Sequence, residues 1–293
     1  MKKTLVNFTK LIAVVSICSL FIYAATATIN YHKLKLPYSN QINFASEIVP
    51  VADNDVSERF DREMIINKNF HSNTILVIKR ANKVFPVIEP ILAANGVPDD
   101  FKYLAVIESS LINAVSPAGA KGVWQFMPAT AREYGLEVSE DVDERYHLEK
   151  STQAACLFLL DAYKKFGNWT LVAASYNGGM TGISRVLEAQ QVSNYYDALF
   201  NEETARYVFR ILALKEIMTN TSKYGFDIPQ NQKYSHIPTN KLTVDASIDD
   251  LALFAIAQGT NYKTLKILNP WLRQNKLTVL IGKKYSIEIP KQF

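Results

Sequence analysis

The feature that most constrains this chain is the helical spacing of its apolar residues from about residue 56 to residue 218. Apolar side chains recur there three and four positions apart, and no run shows the alternation of a half-buried strand. The pattern predicts an all-helical domain over residues 56–224. With 293 residues, 48% hydrophobic and 20% charged, the chain has the size and composition of a globular protein of about two domains.

A change in composition after this region predicts a second, smaller domain. Residues 225–240 contain two prolines among Asn and Gln residues and are interpreted as a linker. The tail, residues 241–293, has strand-like segments at 242–244 and 285–289, with two helical stretches between them. We therefore expect a β-α-α-β module, which makes the whole chain mainly α.

The N-terminus has the pattern of an export signal. Three lysines within the first ten residues precede an uncharged stretch of 19 residues, 11–29, and the small residues 25–27 offer a cleavage site. Residues 1–29 are interpreted as a signal peptide, with an uncleaved membrane anchor as the alternative, since the stretch is long enough to span a bilayer. Residues 30–55 are polar and aperiodic, and are predicted to be a linker that only tethers.

Charge and cysteine content exclude several kinds of partner and cofactor. The formal charge of +4 falls to +1, 29 basic against 28 acidic residues, once the three N-terminal lysines are removed. Such a balance does not indicate a nucleic-acid partner. Cys156 is the only cysteine outside the signal segment, and its apolar helical surroundings predict a small buried residue. The four histidines share no ligand spacing, so no metal or other cofactor is expected.

One carboxylate occupies the apolar stripe of a short predicted helix. The helix begins near Pro98, and the stripe that opens on Phe101 reaches Glu108 seven positions later. Removal from water raises the pKa of a carboxyl group toward the value that a general acid needs. Two interpretations are open at this point: a catalytic acid, or a buried Glu satisfied by backbone N–H groups or by a cation.

Three further segments place polar side chains beside glycines or helix starts. Residues 116–128 form a turn-rich loop that leads into a helix over about 128–134, where Pro128 suits the first turn. Residues 171–179 predict a short helix that ends in an aromatic residue, an amide and two glycines. An amphipathic helix is predicted over 203–218.

These four segments, in this order, resemble the catalytic domain of the soluble-type (SLT) lytic transglycosylases, particularly the membrane-bound type D branch, over about residues 97–218. The Glu-Ser pair of the family matches Glu108 and Ser109. The other family motifs match Gly122, Gln125, Pro128, Ser175, Tyr176, Asn177 and Tyr207. Trp124 stands where many members have Met, and Ser175 where many have Ala.

The resemblance implies a lysozyme-like helical fold and an exported enzyme of the periplasm or cell envelope, whose substrate is the glycan strand of peptidoglycan. It implies that Glu108 protonates the oxygen between N-acetylmuramic acid (MurNAc) and N-acetylglucosamine (GlcNAc). The ionised Glu108 then takes a proton from the muramyl 6-hydroxyl, which closes a 1,6-anhydro ring without water. The resemblance assigns substrate binding to Ser116, Gln125, Tyr176, Asn177 and Tyr207.

Local alternatives are open for several of these residues. Ser116 before a proline could be only a turn former, and Asn177 could cap its helix in a left-handed conformation. The acidic loop with Asp141, Asp143 and Glu144 is expected to be solvated surface or to cap a helix, which leaves Glu108 as the single carboxylate candidate.

Aromatic residues beside these motifs have two interpretations as well. Trp124 and Tyr134 could line a sugar-stacking groove or belong to the core, and Phe126 is predicted to be core.

The tail resembles a lysin-motif (LysM) module, best over residues 265–270, although the usual opening of such modules is poorly represented at 242–248. Two interpretations are open for it: a module that binds GlcNAc-containing glycans, or an appendage packed on the catalytic domain. For the whole chain, two alternatives to the transglycosylase are a goose-type-lysozyme-like hydrolase and a non-catalytic peptidoglycan-binding protein.

Overall fold

A computed structural model of the protein describes residues 16–19 and 41–291, which belong to two separate compact units. Residues 16–19 are helical, and the rest of the predicted signal or anchor segment lies outside the described residues. Within the described part of the chain, no helix combines the length and hydropathy needed to cross a membrane.

The larger unit is mostly helical, which confirms the predicted fold class. Its helices are α1 (Asn54–Asn69), α2 (His71–Ala94), α3 (Lys102–Ser109), α4 (Pro128–Glu133), α5 (Leu148–Phe166), α6 (Trp169–Gly178), α7 (Met180–Gln190), α8 (Glu202–Thr219), α9 (Leu251–Ala257) and α10 (Tyr262–Leu268). Two antiparallel pairs of strands complete it, β1 (Asn43–Phe44) with β2 (Glu47–Ile48), and β3 (Thr239–Val244) with β4 (Tyr285–Pro290).

Helix α8 is the central element of the helical part. Asn201 caps its start through a hydrogen bond to the Thr204 amide, and two glutamates in the first turn face the positive end of the helix dipole. The helix packs against α1, α3 and α6. Its core side chains, Val208, Phe209 and Ile211, have no exposed surface. This packing brings the start of α8 beside the end of α3.

The middle of helix α3 is buried on all sides. A 3₁₀ turn, Asp99–Phe101, leads into it, and every residue from Tyr103 to Ile107 is buried. A short helix that is apolar all round belongs in a core. Ser110 ends it in a left-handed conformation, with φ +52°. Glu108 therefore stands on the last turn of a buried helix.

The predicted linker of residues 30–55 is wrong in its second half, because residues 41–53 are part of the helical domain. The β1–β2 hairpin buries Phe44 completely against Phe101, with ring centroids 5.2 Å apart. The carboxylate of Glu47 accepts hydrogen bonds from the first two amides of α6, at 2.6 and 2.9 Å. The hairpin thus acts as the N-terminal cap of a helix far away in the sequence.

The second predicted linker, 225–240, also lies against the helical part. Phe226 is buried and its ring lies 4.9 Å from that of His71. The backbone of Tyr234 is hydrogen-bonded to α2 at both its amide and its carbonyl. Strand β3 begins at Thr239, slightly before the predicted boundary.

The C-terminal β-α-α-β module has the predicted order of elements, and its core is not its own alone. Leu251, Leu265 and Ile287 are fully buried between the two strands and the two helices. The same cluster includes Val142 and Tyr146 from the loop before α5. The module and the helical domain therefore share one hydrophobic core.

Cys156 is fully buried on α5, as predicted, and burial raises the pKa of its thiol to about 12. A thiol with such a pKa stays protonated and unreactive at neutral pH.

Candidate active site

Glu108 and Tyr207 form the centre of the site. The Tyr207 hydroxyl donates a short hydrogen bond to the Glu108 carboxylate, joining the end of α3 to the first turns of α8. Burial raises the pKa of Glu108 to about 7, although the Tyr207 hydrogen bond and the charge of Arg210 act to lower it. Glu108 can therefore hold a proton near neutral pH and release it in the same range.

A buried tyrosine, Tyr207, and a half-buried one, Tyr176, lie near this carboxyl group. Tyr207 is 2% exposed, and the hydroxyl of Tyr176 donates to the Trp124 carbonyl at 2.7 Å. Burial raises the pKa of both tyrosines well above the usual value, and the negative charge of Glu108 raises them further. Both hydroxyls therefore remain protonated donors around the carboxyl group.

The loop before α4 is fastened to the end of α3. Ser109, next to Glu108, donates from its hydroxyl to the Val123 carbonyl at 2.8 Å. Gln125 has a left-handed backbone, with φ +50°, and its side-chain amide donates to the Gly122 and Ala114 carbonyls at 2.7 and 3.1 Å. The Gln125 side-chain oxygen has no hydrogen bond among the described residues, so it is an available acceptor.

Gly122 is required by the way this loop packs. Its φ of +84° is unfavourable for other residues, and an added Cβ would lie 1.8 Å from the Arg145 carbonyl oxygen. The matched glycine of the family motif thus has a steric cause in this fold.

Asn177 joins α6 to α8 and does not end its helix. Its side chain donates to Glu203 at 2.9 Å and accepts from the Thr204 hydroxyl at 2.8 Å. The left-handed residue at the helix end is Gly179, with φ +71°. The capping interpretation of Asn177 is therefore wrong.

Ser116 closes a tight turn. Its hydroxyl accepts from the Ala120 amide at 3.0 Å, its own amide donates to the Ala120 carbonyl, and its carbonyl accepts from the Gly119 amide. This geometry is that of a turn former, and a role of Ser116 in substrate binding stays a prediction.

The aromatic residues of the loop are mostly core. Trp124 is fully buried and donates from its indole to Thr152 at 2.9 Å, so it cannot stack on a sugar. Phe126 is 3% exposed, which confirms its predicted place, and Tyr134 is half-buried.

The acidic loop differs from the expectation of a solvated surface. Asp143 and Glu144 are 3% and 4% exposed. Arg145 binds Asp143 through two nitrogens, at 2.8 and 2.7 Å, and its hydrogen bonds and charge hold the pKa of that carboxyl below its usual value although burial acts to raise it. Asp143 does cap the following turn by accepting from the Arg145 amide. Both carboxylates are thus structural.

Sequence reasoning missed Arg210 and Thr204. Arg210 lies one turn after Tyr207, donates to the Ile107 carbonyl at 3.2 Å and lowers the pKa of Glu108. Thr204 lies one turn before Tyr207 and holds Asn177. Their helical spacing from Tyr207 was the available signal.

An open pocket of about 620 Å³ lies between α1, α2, α3 and α8. Ile107, Glu203 and Arg210 are among its lining residues, whereas Glu108 does not line it. Among residues 16–19 and 41–291, no cluster of three His, Cys, Asp or Glu side chains is placed to hold a metal ion.

Comparison with known protein families matches two parts of the chain. Residues 86–198 match the transglycosylase SLT domain, and residues 240–293 match the soluble lytic transglycosylase C-terminal LysM-like domain. The first range contains Glu108, Gln125 and Tyr176 and ends before Tyr207.

A curated relative agrees with these matches. Membrane-bound lytic murein transglycosylase D of Escherichia coli (strain K12) is 26% identical over 248 residues, which are 83% of this chain and 53% of that protein. The chain thus spans about half the length of this relative. Among solved structures, the lytic transglycosylase Slt from Pseudomonas aeruginosa is 19% identical with a TM-score of 0.38, over 51% of this chain and 26% of that one. The sequence matches therefore make the chain similar to lytic transglycosylases, with a region that matches an SLT domain followed by one that matches a C-terminal LysM-like domain.

Proposed function

We propose that this chain is a peptidoglycan lytic transglycosylase that cleaves the β-1,4 bond between MurNAc and GlcNAc and leaves a 1,6-anhydromuramyl end. One observation carries the proposal: the Glu108 carboxyl group is hydrogen-bonded to the buried Tyr207 hydroxyl, and its pKa is raised to about 7. A carboxyl group with this pKa can serve as acid and then as base within one reaction.

The reaction needs one proton carrier. Protonated Glu108 donates to the glycosidic oxygen, and the bond from that oxygen to C1 of MurNAc breaks. The oxocarbenium-like centre at C1 is then attacked by the muramyl 6-oxygen, whose proton returns to Glu108. Atoms balance without water, and the intramolecular attack gains from proximity. Inverting and most retaining glycosidases need a second carboxylate, and both oxygens of the buried Asp143 are already bound by Arg145.

The surrounding residues are proposed to position Glu108 and the sugar. Tyr207 orients the carboxyl group directly, and Tyr176 holds the loop through the Trp124 carbonyl. Gln125 offers its side-chain oxygen to a sugar hydroxyl or amide. Asn177 acts through α8, because both ends of its amide are already bonded.

We also propose export to the periplasm or cell envelope, with residues 1–29 as signal peptide or anchor. The basic and apolar pattern of that segment supports export, and so does the similarity to a transglycosylase named as membrane-bound.

The mass of the released muropeptides tests the proposed reaction. Purified sacculi are incubated with the chain, with Glu108→Gln and with Glu133→Gln, which alters an exposed glutamate on α4. The parent and Glu133→Gln should release anhydro products. The rate of release by Glu108→Gln should be lower by at least about a hundredfold. Products heavier by one water would show a hydrolase, and equal rates for Glu108→Gln and the parent would show that Glu108 is not the acid.

A further inference from the structure

The loop that joins α4 to α5 connects the C-terminal module with the helical domain. We name residues 141–146 of this loop the bridging segment. Its Val142 and Tyr146 side chains belong to the module's hydrophobic cluster, and the Arg273 guanidinium lies 4.3 Å from the Tyr146 ring centroid. The module therefore buries its apolar surface against this segment, so the two parts are packed together and are not joined only by a flexible linker.

Backbone hydrogen bonds fix the bridging segment to the module. The Asp143 amide donates to the Trp271 carbonyl at 2.9 Å, and the Arg273 amide donates to the Asp141 carbonyl at 2.7 Å. These bonds form a β-bridge between Val142 and Leu272. At the rim, Lys283 binds Glu137 and Lys241 binds Glu149.

The opposite side of the bridging segment holds the loop that carries Gln125. Asp143 fixes the guanidinium of Arg145, whose Nη1 donates to the Gly119 and Phe126 carbonyls at 3.1 and 3.2 Å. Both the arginine and its partner carboxylate are almost fully buried. An arginine that is oriented by a bidentate carboxylate loses little further freedom when it holds two carbonyls.

We propose that Arg145 is a positioning residue for the Gln125 loop, and that the C-terminal module locks Arg145 in place through the bridging segment. The module then contributes to substrate affinity of the catalytic domain without touching the substrate. The inference rests on the proposed function for its kinetic consequence only, because the coupling between module and loop can be measured without any reaction.

Hydrogen exchange tests the coupling. Val142→Asn places an amide in the interface without a charge that could compete for Arg145, and the control is Leu253→Asn, at a module side chain that is 66% exposed. Lys121 and Gly122 report on the loop, because their amides donate to the Phe126 and Ala114 carbonyls. In Val142→Asn they should exchange about tenfold faster, since weakening the lock favours opening of the loop. The control should exchange like the parent.

Kinetics test the role of Arg145. Arg145→Lys keeps the positive charge but loses the planar guanidinium that binds Asp143 and the loop carbonyls. We therefore expect the KM for soluble glycan strands to rise about tenfold. The kcat and the alkaline limb of the pH–rate profile should not change. A purely structural role would lower kcat with the folded fraction and leave KM as it was. Asp143→Asn gives the same two readouts if Arg145→Lys does not fold.

Two results overturn the inference: loop amides in Val142→Asn that exchange as in Leu253→Asn, or an Arg145→Lys variant whose KM equals that of the parent. A parent chain that releases no anhydro product would instead overturn the proposed function, and the exchange result would stand independently of it.

Discussion

At the scale of single residues, the decisive group is Glu108. The sequence predicts a carboxylate in an apolar stripe, and the structure gives the reason for its raised pKa: it stands on the last turn of a largely buried helix, in contact with the buried Tyr207. Its contact with Tyr207 could be anticipated only from the family resemblance, because the two residues lie 99 positions apart.

The Tyr207 hydroxyl tunes this carboxyl group. Tyr207→Phe removes a hydrogen bond that lowers the pKa of Glu108, so the alkaline limb of the pH–rate profile should move to higher pH. The rate at the optimum should fall about tenfold or more, because the acid is no longer oriented. Tyr103→Phe is the matched control, since that hydroxyl bonds to Thr219 at the far end of α8. An unshifted limb in Tyr207→Phe would contradict this role.

Gly122 and Gly119 distinguish the cost of a steric clash from the cost of a positive φ alone. Gly122→Ala should destabilise the chain by about 3 kcal/mol or more and reduce activity, because its Cβ meets the Arg145 carbonyl oxygen. Gly119→Ala, at φ +89° with open space around it, should lose only about 1 kcal/mol. Urea unfolding measures both losses. Similar values for the two variants would argue against the close approach.

At the scale of elements, the sequence predicts several helices at their observed positions and does not predict the hairpin. Helical spacing with Pro128 at a start and glycines at the ends is a local signal, so α4, α6 and α8 match their predicted positions. Strands β1 and β2 have two residues each, too few to show an alternating pattern. The hairpin is held by contacts 122 positions away in sequence, which no local pattern reveals.

The hairpin should contribute to stability through Glu47. Its carboxylate accepts from the Trp169 and Thr170 amides and from the Thr170 hydroxyl at the positive end of α6. Glu47→Ala should therefore cost about 2 kcal/mol, measured by thermal unfolding, whereas Glu58→Ala, on the exposed face of α1, should cost less than about 0.5 kcal/mol. Equal losses would mean that the hairpin does not cap α6.

At the scale of the whole molecule, four separate segments carry the candidate site residues, and we propose that a fifth supports them. The resemblance names the four that carry the matched motifs. The bridging segment escapes sequence reasoning because its acidic residues have the composition of a solvated loop, and only the buried Arg145 and the docked module explain why they are inside. Buried ion pairs and contacts between distant segments leave no periodic pattern in the sequence.

The free energy of unfolding should depend on the protonation state of Glu108. Its pKa is raised from 4.5 to about 7 in the folded chain, so the unfolded chain releases this proton first as the pH rises and the folded state loses stability between these values. Glu108→Gln removes this loss, at most about 3 kcal/mol. The variant should therefore gain stability relative to the parent between about pH 4.5 and pH 7 in urea titrations. A difference that is constant with pH would contradict the raised pKa.

The claim that Glu108 holds a proton near neutral pH is tested most directly by an NMR titration of its carboxyl carbon. The full chain is labelled with ¹³C at the glutamate carboxyls, and Glu108→Gln assigns the signal. The signal that Glu108→Gln removes should titrate with a midpoint near 7. A Glu108 midpoint near 4.5 would show a carboxylate already ionised at neutral pH, and would contradict the claim that this side chain is the acid.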